Sequence, residues 1–277
     1  MEFCKYQALG NDYIVIDPAR WAVDLTPDTI RMICDRHFGI GSDGILHGPL
    51  YRDGRIMVRI YNPDGSEAEK SGNGVRIFSR YLLDEGYRTG PAFSLLTLGG
   101  EVGVSIADTD GQSIEVDMGP FTFLSSEIPV LGPEREIVDE AVSVEGVSYR
   151  MTCLSIGNPH CVIPRETVSE KLTKSIGHKI ETLAIFPKRI NVQFVERLDK
   201  RSIRIEIWER GAGYTLASGS SSCAAFAAMN RLGLVERSGT VHMPGGTLEV
   251  RIDTEGRVHQ RGPVVKVMEG TSCNLLV

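Results

Sequence analysis

The stretch Ser71-Gly72-Asn73-Gly74 leads directly into the segment Val75-Arg76-Ile77-Phe78-Ser79-Arg80-Tyr81-Leu82-Leu83-Asp84-Glu85-Gly86. Apolar residues recur in this segment at the spacing of one buried helix face, and Gly86 is placed to end the helix. A helix start presents unpaired backbone N–H groups and a partial positive charge, which stabilise a small anion or a developing negative charge. A serine there is also an ordinary helix cap. The pattern therefore predicts a helix start beside Ser71 that is able to bind an anion.

A second copy of this arrangement lies 147 residues further along the chain. One shared offset for a turn, a strand end, a helix start and a helix stop indicates internal duplication. The matched pairs are Gly10-Asn11 with Gly157-Asn158, Tyr61-Asn62 with Trp208-Glu209, Ser71-Gly72 with Ser218-Gly219, and Gly86 with Gly233. The chain is therefore predicted to form two similar lobes related by an approximate twofold axis. If the lobes face each other, their two helix starts converge on one cleft, where we expect the functional site.

The predicted lobes cover residues 1–120 and 121–265, and a tail at 266–277 is expected to pack back on the N-terminal lobe. Thr26-Pro27-Asp28 predicts the start of another helix, which we expect to run to Phe38. The segment Gly39-Ile40-Gly41-Ser42-Asp43-Gly44 matches the dinucleotide pattern G-x-G-x-x-G but follows a helix instead of a strand. We interpret it as a glycine-rich connection. Alternating residues predict strands at 13–17, 55–61, 93–106 with a break at Gly99-Gly100, and 113–118.

The composition excludes several classes of partner. The net charge is -6, which argues against nucleic acid, and no apolar run approaches the roughly 20 residues that cross a bilayer. The first residues lack the features of a signal peptide, so a cytoplasmic location is expected. Six scattered cysteines without a Cys-x-x-Cys pair indicate buried free thiols, and neither a metal site nor a disulfide framework. The cysteines are Cys4, Cys34, Cys153, Cys161, Cys223 and Cys273.

Two helix starts that point at one site stabilise a bound carboxylate. They also stabilise the negative charge that develops when the carbon beside the carboxylate loses a proton. One side chain from each lobe could remove that proton from one face and return a proton to the other, which inverts a stereocentre. Glu209-Arg210 offers a charge pair for an ammonium or a carboxylate, and His160 lies two residues beyond a repeated Gly-Asn. Each of these residues could instead have a purely structural role, because turns favour asparagine and many histidines only support packing. The candidate hydrogen-bonding residues are Asn11, Asn62, Asn158 and Asn191.

Six segments together resemble the diaminopimelate epimerase family. They occur in order along nearly the whole chain, which makes the resemblance far more specific than any single motif. The segments are Leu9-Gly10-Asn11-Asp12, Asn62-Pro63-Asp64-Gly65-Ser66, Gly72-Asn73-Gly74-Val75-Arg76, Gly157-Asn158-Pro159-His160-Cys161, Glu209-Arg210-Gly211-Ala212-Gly213 and Met243-Pro244-Gly245-Gly246.

The resemblance implies an α/β fold of two pseudosymmetric lobes, each a barrel-like sheet around a central helix. It also implies inversion of an amino-acid α-carbon without a cofactor, of the LL-to-meso type that serves lysine and cell-wall precursor biosynthesis, and a homodimer. His160 is a possible assisting residue. The implied substrate-contacting positions are Asn11, Asn62, Gly72, Asn73, Asn158, Asn191, Glu209, Arg210, Gly219 and Ser220.

The chain departs from the family at the two catalytic positions. The family has cysteine bases where this sequence has Ser71 and Ser218. A thiol has a pKa of about 8.5, and a helix start lowers it further, whereas a serine hydroxyl needs an adjacent base. Three explanations remain open: a natural paralogue with altered chemistry, an inactive amino-acid-binding relative, or an engineered variant. The intact surroundings favour the first, and a racemase of another amino acid or a serine-assisted lyase or dehydratase are alternative activities.

Overall fold

The structure is a computed structural model that describes residues 2–108 and 110–272, in which four helices and eighteen strands are formed. One compact unit extends to Val116 and resumes at Arg261, and the other spans Asp117–Gln260. The helices are α1 (Pro27–Cys34), α2 (Gly72–Asp84), α3 (Glu170–Glu181) and α4 (Gly219–Arg231). The strands are β1 (Glu2–Ala8), β2 (Asn11–Ile16), β3 (Ile45–Arg52), β4 (Arg55–Tyr61), β5 (Glu67–Ala68), β6 (Ala92–Thr97), β7 (Gly100–Ile106), β8 (Ser113–Pro120), β9 (Glu140–Val144), β10 (Val147–Ser155), β11 (Pro159–Arg165), β12 (Asn191–Arg197), β13 (Ser202–Glu209), β14 (Gly213–Thr215), β15 (Ser238–Met243), β16 (Gly246–Ile252), β17 (Arg257–Pro263) and β18 (Val265–Thr271).

The first unit pairs its strands in the order β18, β1, β2, β3, β4, β6, β7 and β8. The pairs β2–β3 and β4–β6 are parallel, and the other pairs in this series are antiparallel. A parallel pair needs a crossover connection, which α1 provides for β2–β3 and α2 provides for β4–β6. Strand β18 lies in the predicted C-terminal tail, and it pairs with β1.

The second unit repeats this pattern. Strands β9 to β13 pair in order, followed by β15 and β16, and the parallel pairs are β11–β12 and β13–β15. Helices α3 and α4 supply the two crossovers. The same alternation of antiparallel and parallel pairs in both units confirms the internal duplication.

Helices α2 and α4 occupy equivalent places in their units. Helix α2 packs on β1, β2 and β3, and α4 packs on β10 to β13 and on β16. Every residue from Ser221 to Met229 is buried, so α4 is enclosed on all sides. Its alanines and serines allow the surrounding strands to approach closely. The prediction of an α/β fold built on two central helices is confirmed.

The prediction that the first helix extends to Phe38 is wrong, because α1 ends at Cys34. Asp35 is extended, and its carboxylate accepts hydrogen bonds from the backbone N–H groups of His37 and Phe38, at 2.7 Å each. These bonds from the backbone lower the pKa of Asp35. The chain then folds back on the helix end, since the N–H groups of Ile40 and Gly41 both donate to the carbonyl of Ile33. The helix therefore ends where the following segment folds back on it.

The glycine-rich segment at 39–44 connects α1 to β3, as the sequence predicts. Three of its backbone N–H groups bond to carbonyls at the end of α1, so they are not available to a phosphate. The five cysteines in the described part of the chain are buried and form no disulfide, as expected, and Cys273 lies outside the described residues. Within residues 2–108 and 110–272, no helix is both long and apolar enough to cross a membrane.

Candidate functional site

Ser71 caps α2, as the sequence predicts. Its backbone is extended, with φ −136° and ψ 119°, and its hydroxyl accepts a hydrogen bond from the N–H of Gly74 at 3.0 Å. The Tyr13 hydroxyl lies 3.3 Å from the Ser71 hydroxyl. Gly72 and Asn73 follow as buried residues of the first turn. The serine oxygen is therefore fixed beside the first backbone N–H groups of the helix.

Ser218 caps α4 in the same way. Its φ is −149° and its ψ is 124°, and its hydroxyl accepts from the N–H of Ser221 at 3.4 Å. The hydroxyl of Ser220 lies 3.4 Å from that of Ser218. Gly219 is packed so tightly that a side-chain carbon there would lie 2.3 Å from Oε1 of Gln260. The predicted second helix start is therefore confirmed, and it is closely enclosed.

The charges at these two helix starts set them apart from the other helices. Helix α1 has Asp28 in its first turn and α3 has Glu170, so in each a carboxylate offsets the positive end of the helix. Neither α2 nor α4 has an acidic residue in the first turn. Their positive ends therefore remain available for a negative charge on a ligand, an interaction that typically contributes about 0.3–1 kcal/mol per helix end.

The serine hydroxyls themselves lack a base. Within the part of the chain that the structure describes, neither Ser71 nor Ser218 forms a hydrogen bond to a carboxylate, an imidazole or an amine. In the second unit Cys161 and Cys223 do not substitute for Ser218, because Cys161 contacts the sulfur of Met151 in the core and Cys223 lies inside α4. The described residues thus hold these hydroxyls by hydrogen bonds and place beside them no group that would take their protons.

A line of polar side chains lies at the start of α2. The guanidinium of Arg76, which is fully buried, donates to Oδ1 of Asn73 at 2.7 Å. Asn73 in turn donates to Oδ1 of Asn11 at 3.1 Å, and Asn11 donates to Asp43 at 3.1 Å. Two predicted site residues, Asn11 and Asn73, are therefore in direct contact and have fixed orientations. Asn62 is not part of this line, because its side chain donates to Ser66 at 3.0 Å within a turn.

In the second unit, Asn191 joins two predicted site segments. Its side-chain N–H donates to the carbonyl of Pro159 at 2.8 Å, and its Oδ1 accepts from the backbone N–H of Arg210 at 2.9 Å. Asn158 and His160 flank Pro159, and Arg210 follows Glu209 at the end of β13. The amide of Asn191 therefore fixes the segment Asn158–His160 relative to the turn that follows β13.

His160 is fully buried, and its Nε2 lies 2.9 Å from Oδ1 of Asn158. Burial lowers the pKa of His160 to about 3, and the positive charge of Arg210 acts in the same direction. The imidazole is therefore neutral at neutral pH, and it contributes no positive charge to the site.

We expect the His160 imidazole to stay neutral as the pH is lowered from 8 to about 4. In the unfolded chain it gains a proton near its ordinary pKa of about 6.5. The free energy of unfolding therefore loses a contribution as the pH falls from about 6.5 toward 3, and that contribution is complete above this range. Imidazole NMR resonances, assigned by comparison with a His160→Gln variant, measure this. A midpoint near 6.5 in the folded protein would contradict the burial argument.

Sequence reasoning missed Tyr13, whose hydroxyl contacts the Ser71 cap. The repeat contained the signal, because His160 minus the offset of 147 residues falls on Tyr13. It also missed Gln193 and Ser221, which form a fully buried hydrogen bond of 3.0 Å beside the start of α4. Their pairing depends on the packing of β12 against the helix, which no local pattern indicates.

Known proteins match this chain over nearly its whole length. The family model of diaminopimelate epimerase matches residues 3–124 and 152–271. The chain belongs to the diaminopimelate epimerase family. "Diaminopimelate epimerase 2" of Nostoc sp. is 48% identical over 271 residues, which cover 98% of this chain and 95% of that protein. A diaminopimelate epimerase of Moorella thermoacetica is 37% identical over 275 residues, covering 98% of each. The family resemblance predicted from the sequence is confirmed.

Solved structures support the fold of this member of the diaminopimelate epimerase family. A probable proline racemase from Agrobacterium radiobacter has a TM-score of 0.73 and 14% sequence identity. The match covers 99% of this chain and 93% of that one. At this identity the likeness shows the fold alone, which agrees with the predicted two-lobed architecture.

Proposed function

We propose that the protein is a cofactor-independent epimerase that inverts the α-carbon of an amino acid, of the type that converts LL-diaminopimelate to the meso form. One observation carries the proposal. In a member of the diaminopimelate epimerase family, both central helices begin with a serine cap followed by glycine, and neither has an acidic residue in its first turn. Such helix starts stabilise a carboxylate and the negative charge that develops at the neighbouring carbon.

The surrounding residues are proposed to orient the substrate. Arg210 supplies a cation for a carboxylate, and Glu209 an anion for an ammonium group. Asn11, Asn73 and Asn158 supply amide groups of fixed orientation. The remaining proposed contacts, all taken from the family resemblance, are Asn62, Gly72, Asn191, Gly219 and Ser220.

Ser71 and Ser218 are proposed to stand where the proton leaves and returns. A hydroxyl without an adjacent base is a weak proton acceptor, so we expect slow turnover. His160 is neutral and bonded to Asn158, which makes it a candidate to support the site without carrying charge.

One observation favours a second candidate function, an amino-acid-binding protein that lacks turnover. Neither serine hydroxyl bonds to a carboxylate, imidazole or amine among the described residues, while the polar side chains suited to an amino acid are retained. Such a protein would bind the ligand without exchanging its α-hydrogen.

The test is incorporation of deuterium at the α-carbon when the purified protein is incubated with LL-diaminopimelate in deuterated water. Epimerisation predicts exchange together with the meso product, and the common amino acids tested in parallel identify a racemase of another substrate. Formation of a keto acid without inversion would indicate a lyase or dehydratase. Binding measured by calorimetry without exchange would contradict the epimerase and support the binding protein.

We further propose a small amino acid as the partner, a cytoplasmic location and a homodimer. The homodimer is an implication of the resemblance. Sedimentation equilibrium measures the oligomeric state, and a monomer would contradict the dimer.

A further inference from the structure

Glu181 is a carboxylate in an unfavourable place. It is the last residue of α3, where the negative end of the helix repels an anion. Its side chain is also buried, with 3% exposed. A buried charge destabilises a fold unless hydrogen bonds or opposite charges compensate it. Glu181 therefore needs hydrogen-bond donors or positive charges beside it to be stable in this position.

The partners of Glu181 lie on and beside the turn that follows β13. The indole N–H of Trp208 donates to Oε2 at 2.8 Å, and the backbone N–H of Gly211 donates to Oε1 at 3.0 Å. Arg189 lies 3.6 Å away from Oε1. Burial alone would raise the pKa of Glu181, but the bonds from Trp208 and Gly211 hold the pKa below its usual value. The His178 imidazole Nδ1 also lies 3.4 Å from Oε2. Glu181 is therefore an ionised acceptor whose two closest hydrogen bonds come from Trp208 and Gly211.

The two donors lie on either side of the proposed substrate-binding pair, Glu209 and Arg210, in the sequence. Trp208 precedes this pair in the sequence and Gly211 follows it. The backbone N–H of Arg210 is held by Asn191 at 2.9 Å. Two side chains from different elements thus hold two consecutive backbone amides, which leaves the turn little freedom to move.

Helix α3 is itself fixed against this turn. At Gly177 a side-chain carbon would lie 2.6 Å from Cγ of Trp208, so the helix backbone rests directly on the indole. The position of Glu181 is therefore set by close packing one helical turn away. A shift of the helix backbone toward Trp208 is blocked by this contact.

We propose that Glu181 is a positioning residue that holds Glu209 and Arg210 in the geometry for binding the substrate. The inference rests on the proposed function. Glu181 acts through the backbone at Gly211 and through Trp208, which distinguishes it from a residue that contacts the substrate.

The test is the Glu181→Gln variant, with LL-diaminopimelate as the probe. Glutamine keeps the shape, but its NH₂ group must face one of the two N–H donors, so one hydrogen bond is lost. Losing a buried hydrogen bond moves the turn, and we expect KM to rise about tenfold while kcat stays within about threefold. The matched control is Glu170→Gln on the exposed start of α3, which should change neither constant.

A folded Glu181→Gln protein with the KM of the unmodified protein would overturn the inference. If this variant fails to fold, Glu181→Asp is used, because it keeps the charge and shortens the reach by one methylene; a raised KM supports positioning and an unchanged KM overturns it. If the unmodified protein binds without turnover, the calorimetric Kd replaces KM under the same criteria. An unmodified protein that neither binds nor exchanges the probe overturns the proposed function and this inference with it, so the two failures are distinguishable.

Discussion

Replacing both cap serines by cysteine, Ser71→Cys together with Ser218→Cys, is expected to raise the rate of α-hydrogen exchange on LL-diaminopimelate by about 10²- to 10⁴-fold. A thiol has an ordinary pKa of about 8.5 and a lower one at a helix start, so a thiolate base becomes available near neutral pH. Among residues 2–108 and 110–272, the serine hydroxyls bond only to backbone N–H groups and to neighbouring hydroxyls. Deuterium incorporation measured by mass spectrometry gives the rate.

Three variants control this experiment. Each single replacement supplies one base and should give little of the gain in meso product, because inversion needs a base on each face. Ser175→Cys places a thiol on the exposed surface of α3 and should leave the rate unchanged. The double variant is also expected to lose some stability, because removal of a serine cap costs about 1 kcal/mol. A folded double variant that exchanges no faster than the unmodified protein would show that the serines do not stand at the proton-transfer positions.

The Phe226→Ala variant is expected to lower the free energy of unfolding by about 3–5 kcal/mol. Phe226 is fully buried in the centre of α4, and its neighbours in the helix are alanines that cannot fill the space. On its far side the ring rests against β15, since a side-chain carbon at Gly239 would lie 3.0 Å from the ring. Removal of the ring leaves a cavity lined by a closely packed helix and sheet. Urea denaturation followed by circular dichroism measures the change.

The matched control for this prediction is Met32→Ala. Met32 is a large apolar residue in a helix, as Phe226 is, but 44% of it is exposed. Its replacement should change the free energy of unfolding by no more than about 0.5 kcal/mol. Equal losses in the two variants would mean that α4 is not the packed centre of its unit.

The helix starts could be predicted from the sequence because their chemistry is local. A cap serine, the glycine after it and the apolar spacing that follows all lie within a few residues. The repeat offset then placed the second start at Ser218 without any knowledge of contacts. The same offset would also have linked His160 with Tyr13, because the two units repeat the same arrangement of strands and helices.

Other features depend on contacts between distant segments. The end of α1 could not be predicted, because it is set by residues 40–42 folding back on the helix. Asn191 was predicted as a candidate substrate contact, but the bonds of its amide to the backbone of Pro159 and Arg210 could not be predicted. Glu181 was missed entirely, because Trp208 and Gly211 lie far from it in the sequence.

The measurement that tests the account most directly is α-hydrogen exchange by the unmodified protein on LL-diaminopimelate in deuterated water, with the double cysteine variant beside it. The account predicts slow incorporation of deuterium with formation of the meso product, and much faster incorporation by the variant. It would be contradicted if neither protein incorporated deuterium while both remained folded and bound the amino acid.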